Sequence, residues 1–254
     1  MNFLIEAVAG MALVGAAALG GWRAVSAFTH SAIAEGLRLK SSGQYDAAQV
    51  KLKAALSLQE KTRTGGGTSA TQAKVMLNWI LIEQGRDAIA LPDLSRLSVL
   101  LEERHAGAQD RISVCIPISW IYFSHDDLQS ARGWSGQGVS LHEHSARPAN
   151  VNYASLLCVQ AMCCLKLNEL ADAEELLERA LSIVERETGK MSLYCAPIMT
   201  NLGWLRLLQG RTGEGVQLWQ RSCSIYARLM GADHPRARRV ANLLIECRTT
   251  FKLS

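Results

Sequence analysis

The residues able to do chemistry occur in pairs rather than in constellations. "LHEH" places His142 and His144 two apart, on different sides of a helix, whereas a helical chelating pair needs i, i+4 spacing for both imidazoles to reach one ion. "SHDD", Ser124 to Asp127, has the make-up of a turn followed by a helix N-cap. Cys163 and Cys164 are adjacent, so on a helix they point different ways, as packing groups do. "GGG" at Gly65 to Gly67 lacks the Lys-Ser/Thr ending of a phosphate loop, and no strand pattern precedes it. "EELLER", Glu174 to Arg179, sets Glu175 and Arg179 four apart, the spacing of an ion pair on a solvated helix face. No set of nucleophile, base and orienting group emerges. The expectation is a protein that is not an enzyme, with no metal and no cofactor.

The seven cysteines, Cys115, Cys158, Cys163, Cys164, Cys195, Cys223 and Cys247, are odd in number, irregular in spacing and free of any C-x-x-C pair. They read as buried free thiols of a reducing compartment rather than as a disulfide framework. With 254 residues, 48% hydrophobic and 20% charged, the chain has the composition of a folded globular protein. Its formal net charge of +4 is spread through interleaved signs, which does not favour nucleic acid despite the local cluster of Arg236, Arg238 and Arg239.

The elements that position these residues begin with "FLIEAVAGMALVGAAALGGW", Phe3 to Trp22, which carries one charge, Glu6. As a helix it would span about 30 Å, enough for a bilayer core, although its glycines and alanines dilute its hydrophobicity. Ala12, Ala16 and Gly20 repeat at four-residue spacing, the small-xxx-small pattern of close helix packing in membranes. Residues 1–26 are therefore expected to be an uncleaved membrane anchor. A buried or partner-bound apolar helix and a removed signal remain as alternatives. The basic residues Arg23, Arg38 and Lys40 follow the segment, so the positive-inside tendency puts residues 27–254 on the cytoplasmic or organelle-matrix side, of a bacterial or a mitochondrial inner membrane.

Residues 27–254 repeat. Markers at Gly43, Gly85, Asp126, Asn168 and Gly210 are spaced by 42, 41, 42 and 42 residues. Five residues after them come Ala48, Ala90, Ala131, Ala173 and Gly215; seven before come Gly36, Asn78, Ser119, Ala161 and Gly203. Two rows of mainly small residues let antiparallel helices approach across a turn. Fifteen residues after the markers stand Leu58, Leu100, Leu141, Ile183 and Ile225, expected to face the core from the second helix. Each unit is thus a helical hairpin that completes its core by stacking. Pro92 predicts a kink or a delayed start in one second helix. The three glycines of "RGWSGQGVS", Arg132 to Ser140, weaken another. "TRTGGGTSAT" (62–71) and "HSARPAN" (144–150) read as linkers. In "RARRVANLLIECR", Val240, Leu243, Leu244 and Cys247 make the apolar stripe of a capping helix.

This pattern resembles the tetratricopeptide repeat, in its 42-residue, kinesin-light-chain variety. The last copy, "NLGWLRLLQGRTGEGVQLWQRSCSIYARLMGADHP" at Asn201 to Pro235, carries most of the resemblance; "ADAEELLERALSIVERETG" at Ala171 to Gly189 is nearly as good, and the first three copies are poorer. The resemblance covers residues about 27 to 252. It implies an all-α, right-handed superhelix of about five hairpins plus a capping helix. It also implies an inner, concave wall built from the first helices.

Six residues before each marker stand Leu37, Trp79, Trp120, Met162 and Trp204, which the resemblance places on that wall. Large aromatics and methionine suit a groove for an apolar or amphipathic segment of another protein; burial between neighbouring helices, or filling by the chain's own N-terminal segment, are the alternatives. Ten residues before the markers come Ile33, Val75, Ile116, Cys158 and Thr200, a second apolar row that fits either. Asn201 matches the family's Asn-Leu signature and has the donor to bond a bound backbone, but Ala34, Met76, Pro117 and Val159 stand at that place in the other copies. The Lys, Arg and Asn clamp of the family's chaperone-tail binders is replaced by apolar residues. The expected function is a membrane-anchored scaffold or adaptor that binds other proteins through an apolar concave groove, with no small-molecule substrate. The alternative is a permanent accessory subunit, or an assembly factor, of a large respiratory or photosynthetic membrane complex.

Overall fold

The structure is a computed structural model that describes residues 22–61 and 68–251. The proposed anchor, with Ala12, Ala16 and Gly20, lies outside the described residues, as does most of the first linker. Among the described residues there are eleven α-helices and no strand, and no helix is long and apolar enough to cross a membrane. The helices are α1 (Trp22–Ser41), α2 (Tyr45–Lys61), α3 (Thr68–Glu83), α4 (Asp87–Glu103), α5 (Ala108–Ser124), α6 (Leu128–Glu143), α7 (Val151–Lys166), α8 (Leu170–Thr188), α9 (Cys195–Leu208), α10 (Thr212–Met230) and α11 (Pro235–Phe251). The break expected at residue 26 falls inside α1, and Thr68 to Thr71 belong to α3 rather than to a linker.

The five markers are where the chain reverses. Gly43, Gly85, Asp126, Asn168 and Gly210 all have positive φ, between 61° and 76°. Each closes its helix with the same two bonds. The marker's N–H reaches back three residues (Gly43 N to Lys40 O, 3.0 Å; Asn168 N to Leu165 O, 3.2 Å), and the next N–H reaches back five (Gln44 N to Leu39 O, 2.9 Å; Glu169 N to Cys164 O, 2.9 Å). This is the Schellman arrangement, which satisfies carbonyls the helix end leaves open and favours Gly or Asn at the left-handed residue. Asp126 takes that place in "SHDD", while Asp127 caps α6 by accepting from Ser130 N at 3.0 Å.

The rows of small residues are buried as expected. Ala48, Ala90, Ala131 and Ala173 are fully enclosed, as are Ser119 and Ala161. A Cβ on Gly215 would stand 2.8 Å from the Gly203 carbonyl oxygen, so these two glycines do let α9 and α10 touch. Gly36 behaves differently: it faces Leu52, not Ala48, with a built Cβ 2.9 Å from that side chain.

Of the five residues expected to face the core from the second helices, Leu58, Ile183 and Ile225 are buried and Leu141 is half-buried, so the expectation fails only at Leu100. Leu100 is 39% exposed, whereas the residues one place later, Gln59, Leu101, His142, Val184 and Tyr226, are all buried. A residue at that place is 100° further round the helix, which centres the buried face between the two positions. Pro92 neither delays α4 nor ends it, since the helix runs from Asp87 through it to Glu103.

The chain divides into two compact units, residues 1–117 and 118–254. The division falls at Pro117 inside α5, where the ring removes a helical N–H. In the first unit Ile33, Leu39, Leu52 and Ile80 form the centre of one core cluster. In the second, Leu157, Leu177, Met199, Leu205 and Trp219 centre a larger cluster that includes Ala237, Val240 and Cys247 of α11, with Leu243 and Leu244 packed against it. The stripe on α11 thus caps the second unit.

Candidate protein-interaction surface

The row six residues before the markers is not uniform. Trp79 is half-buried, and the Lys40 ammonium lies 5.9 Å from its ring centroid while pairing with Glu83 at 2.7 Å. In the second unit Trp120 is half-buried, packed with Phe123 against Val159 and Cys163 of α7. Met162 is half-buried too, and Trp204 is 43% exposed. Interhelical burial therefore accounts for much of Trp120 and much less of Trp204.

Trp204 is held in place although it is open. Its ring meets the edge of Trp219 at a centroid distance of 5.2 Å and 73°. Trp219 itself is 1% exposed, and its indole N–H donates to Thr200 O at 2.9 Å. A buried indole thus braces an exposed one, so Trp204 presents apolar area at little further entropic cost to a partner. Leu208, one turn on along α9, is also exposed. Asn201 does not form a free ladder: its amide donates to Cys158 Sγ in the preceding first helix, at 3.3 Å.

Two polar clusters, unseen in the sequence, fix the helices beneath this row. Arg206 is 7% exposed, four residues before its marker, where Leu39 and Cys164 are buried in other copies. Its guanidinium bonds Glu174 of α8 directly, donates to Glu178 at 2.8 Å and to Gln209 at 2.9 Å, and lies 3.6 Å from Glu214. Gln209 donates in turn to Glu174 at 2.6 Å. The Gln209 and Arg206 hydrogen bonds hold the Glu174 carboxyl below its ordinary range. Paired, multiply bonded charge is the condition on which a buried guanidinium is tolerated.

The second cluster surrounds Tyr153, whose hydroxyl donates to Glu143 at 2.9 Å and accepts from Arg179 at 2.6 Å. Arg179 therefore turns to α6 and α7 rather than pairing with Glu175 as the helix spacing suggested. His142 stacks on the Tyr153 ring at 4.2 Å, is buried, and has no partner for Nδ1. Burial pushes its pKa down. His144, by contrast, is exposed, with Nδ1 2.7 Å from Ser140 O. Cys163 and Cys164 do face different clusters, and burial raises the thiol pKa of Cys115 to about 12 and those of Cys158 and Cys164 to about 11. Thiols so shifted are poor nucleophiles at neutral pH. Among the described residues no group of three or more His, Cys, Asp or Glu could hold a metal ion.

Two sequence models of the tetratricopeptide repeat match the chain, over residues 149–214 and 197–236. These are the two copies in which the resemblance is plainest. No curated protein matches in sequence. Among solved structures, BtubC (BKLC) from P. vanneervenii is similar, with a TM-score of 0.58 and 14% identity, covering 89% of this chain and 93% of that one. A thermophilic TPR protein of Thermus thermophilus gives 0.56 and 19%, covering 85% and 99%. The nearly identical TPR-like repeats of a putative kinesin light chain from Podosopora anserina give 0.53 and 17%, covering 78% and 94%. Repeats of this kind bind other proteins, and neither matching model is of a catalytic family. Residues 149–236 thus carry recognisable tetratricopeptide repeats, and the chain shares the fold of solved proteins of that kind over most of its length.

Proposed function

We propose that the chain is a scaffold that holds an apolar or amphipathic segment of another protein against the row of large side chains on its first helices, with Met162 and Trp204 as the anchors in the second unit. The observation that carries this reading is Trp204, 43% exposed yet braced edge-on by buried Trp219. A large exposed indole in a fixed orientation is the usual form of a binding hot spot. Trp120 contributes its outer face, and Trp79 serves the same role in the first unit. Asn201 is held at the row by the bond to Cys158, which uses one of its two amide N–H groups and leaves its role toward a bound backbone as part of this proposal.

The test is partner retention. Full-length protein purified in mild detergent from its own cells is compared with Trp204→Ala and Met162→Ala variants. The variants should lose the co-purifying chain while staying folded and melting within about 4 °C of the parent, since both side chains are only partly covered and their removal should cost about 1 kcal/mol. A variant that melts early but keeps its partner assigns Trp204 to packing and defeats the proposal. Native mass in the same preparation separates a subunit of one fixed membrane assembly from an adaptor with changing partners.

Membrane attachment belongs to the same proposal and rests on the apolar run Phe3 to Trp22, with the repeats on the cytoplasmic or matrix side. Removal of residues 1–21 should move the protein from the membrane pellet to the supernatant. A full-length chain already in the supernatant refutes the anchor.

A further inference from the structure

A different surface lies wholly within the first unit. A cleft of about 480 Å³ opens between α2, α3 and α4, within the size range of pockets that hold a ligand. From α3 it is lined by Lys74, Leu77, Asn78 and Leu81. At 100° per residue these share one side of the helix, and Trp79 points to the other. The cleft is therefore distinct from the row of large side chains.

Its most informative residue is Lys74. Eleven residues before the other four markers stand Ala32, Cys115, Leu157 and Met199, all buried. Here alone an ammonium takes an apolar core place, and it stays half-buried at the edge of the cleft. Lys53 of α2 and Arg86 at the start of α4 complete a basic rim. Among the described residues none of these three cations has a carboxylate within 4 Å. Arg96, further along, is partnered by Asp93 at 3.7 Å. The floor is apolar, made by Leu77, Leu81 and Leu97.

Asn78 supplies a hydrogen-bonding requirement. Its Nδ2 donates to Lys74 O at 2.9 Å, and because a carbonyl only accepts, this bond fixes which way the amide points. The other end, Oδ1, is buried without a partner in a side chain 94% buried. A buried acceptor left open is costly and calls for a donor.

We propose that this cleft binds an acidic peptide segment of a partner protein. An apolar side chain of that segment sits over Leu77, Leu81 and Leu97, flanking carboxylates meet Lys53, Lys74 and Arg86, and a backbone N–H donates to Asn78 Oδ1. The charge pattern, the floor and the open acceptor are met together by such a peptide. A lipid with an anionic head group satisfies the first two and offers Asn78 no amide.

The test uses the full chain and fluorescein-labelled pools of short peptides with two leucines, the remaining positions drawn from Asp/Glu, from Ser, or from Lys/Arg. By fluorescence anisotropy the acidic pool should bind at least about tenfold more tightly than the Ser pool and weaken with salt. The double reversal Lys53→Glu/Arg86→Glu should abolish the difference, and Asn78→Ala should weaken binding several-fold. Should the double variant fail to fold by circular dichroism, Lys53→Gln and Arg86→Gln singly, with the salt dependence, decide the matter. Equal binding of the acidic and Ser pools overturns the proposal, as does acidic binding that survives the cleft variants. Loss on Trp204→Ala instead assigns the peptide to the other surface and leaves the cleft empty of function. Co-sedimentation with phosphatidylglycerol vesicles that depends on Lys53 and Arg86, without peptide binding, replaces the peptide by a membrane surface.

Discussion

Replacing Gly203 by alanine is the sharpest probe of how the last hairpin is packed. A Cβ at that position would stand 2.2 Å from Trp219 Nε1 and 2.4 Å from its Cδ1, distances no side-chain carbon tolerates. Trp219 cannot simply turn aside, since it is fully buried, rigid, bonded to Thr200 O at 2.9 Å and in edge contact with Trp204. Overpacking of this kind costs about 1–3 kcal/mol. Displacement of the indole adds about 1 kcal/mol for the lost hydrogen bond, while alanine's better helix propensity returns about 1 kcal/mol. The net loss is therefore about 1–3 kcal/mol, and at 2 kcal/mol the melting temperature should fall by about 4–8 °C. Thermal unfolding followed by circular dichroism gives the first quantity. Tryptophan emission gives the second, since the buried indole should report its displacement. If Gly203→Ala is as stable as the parent, or more so, the close approach of α9 and α10 described above is wrong.

The opposite outcome is expected for Gly133→Ala. Position 133 lies inside α6 with nothing within 4 Å of a built Cβ, so the change should raise stability by about 0.5–1 kcal/mol in thermal or urea unfolding. Arg206→Met removes the centre of the α8–α9–α10 network; because Glu178 and Glu214 are more than half exposed and can rehydrate, the loss should be about 2 kcal/mol rather than the 3–5 kcal/mol of a fully buried broken pair, read as a shift in urea midpoint. His142 is buried beside Tyr153, Glu143 and Arg179 with a lowered pKa. Its unfolded form binds the proton first, so stability present above pH 6.5 should fall progressively below it. His142→Gln, the residue type that Gln59 supplies at the equivalent place in the first hairpin, should flatten this acid dependence between pH 7 and 5.5 in urea midpoints; an unchanged slope shows that other groups carry it.

How much could be read beforehand follows from how far each signal reaches. The hairpin turns were legible because they are local. Gly43, Gly85, Asp126, Asn168 and Gly210 each terminate a helix in the left-handed region, and only a short list of residues does that cheaply. The small rows and the stripe on α11 were legible for the same reason, since helical periodicity is a property of the segment itself. Leu100 was misplaced because the second helix's rotation about its axis is set by what it packs on, not by its own spacing.

Other features needed neighbours about one repeat away. Nothing near Arg206 in sequence distinguishes it from a solvated arginine; its partners Glu174 and Glu178 lie on another helix, 32 and 28 residues back. Of the row Trp79, Trp120, Met162 and Trp204, sequence determined that large side chains recur at one place in the repeat. Tertiary structure alone decided that Phe123 and α7 cover part of Trp120 while Trp219 leaves Trp204 open. Lys74 shows the same division: its type and register are written in the chain, but a cation at a core place becomes a cleft only because α2 and α4 stand apart there, and burial depends on what arrives from elsewhere in the fold.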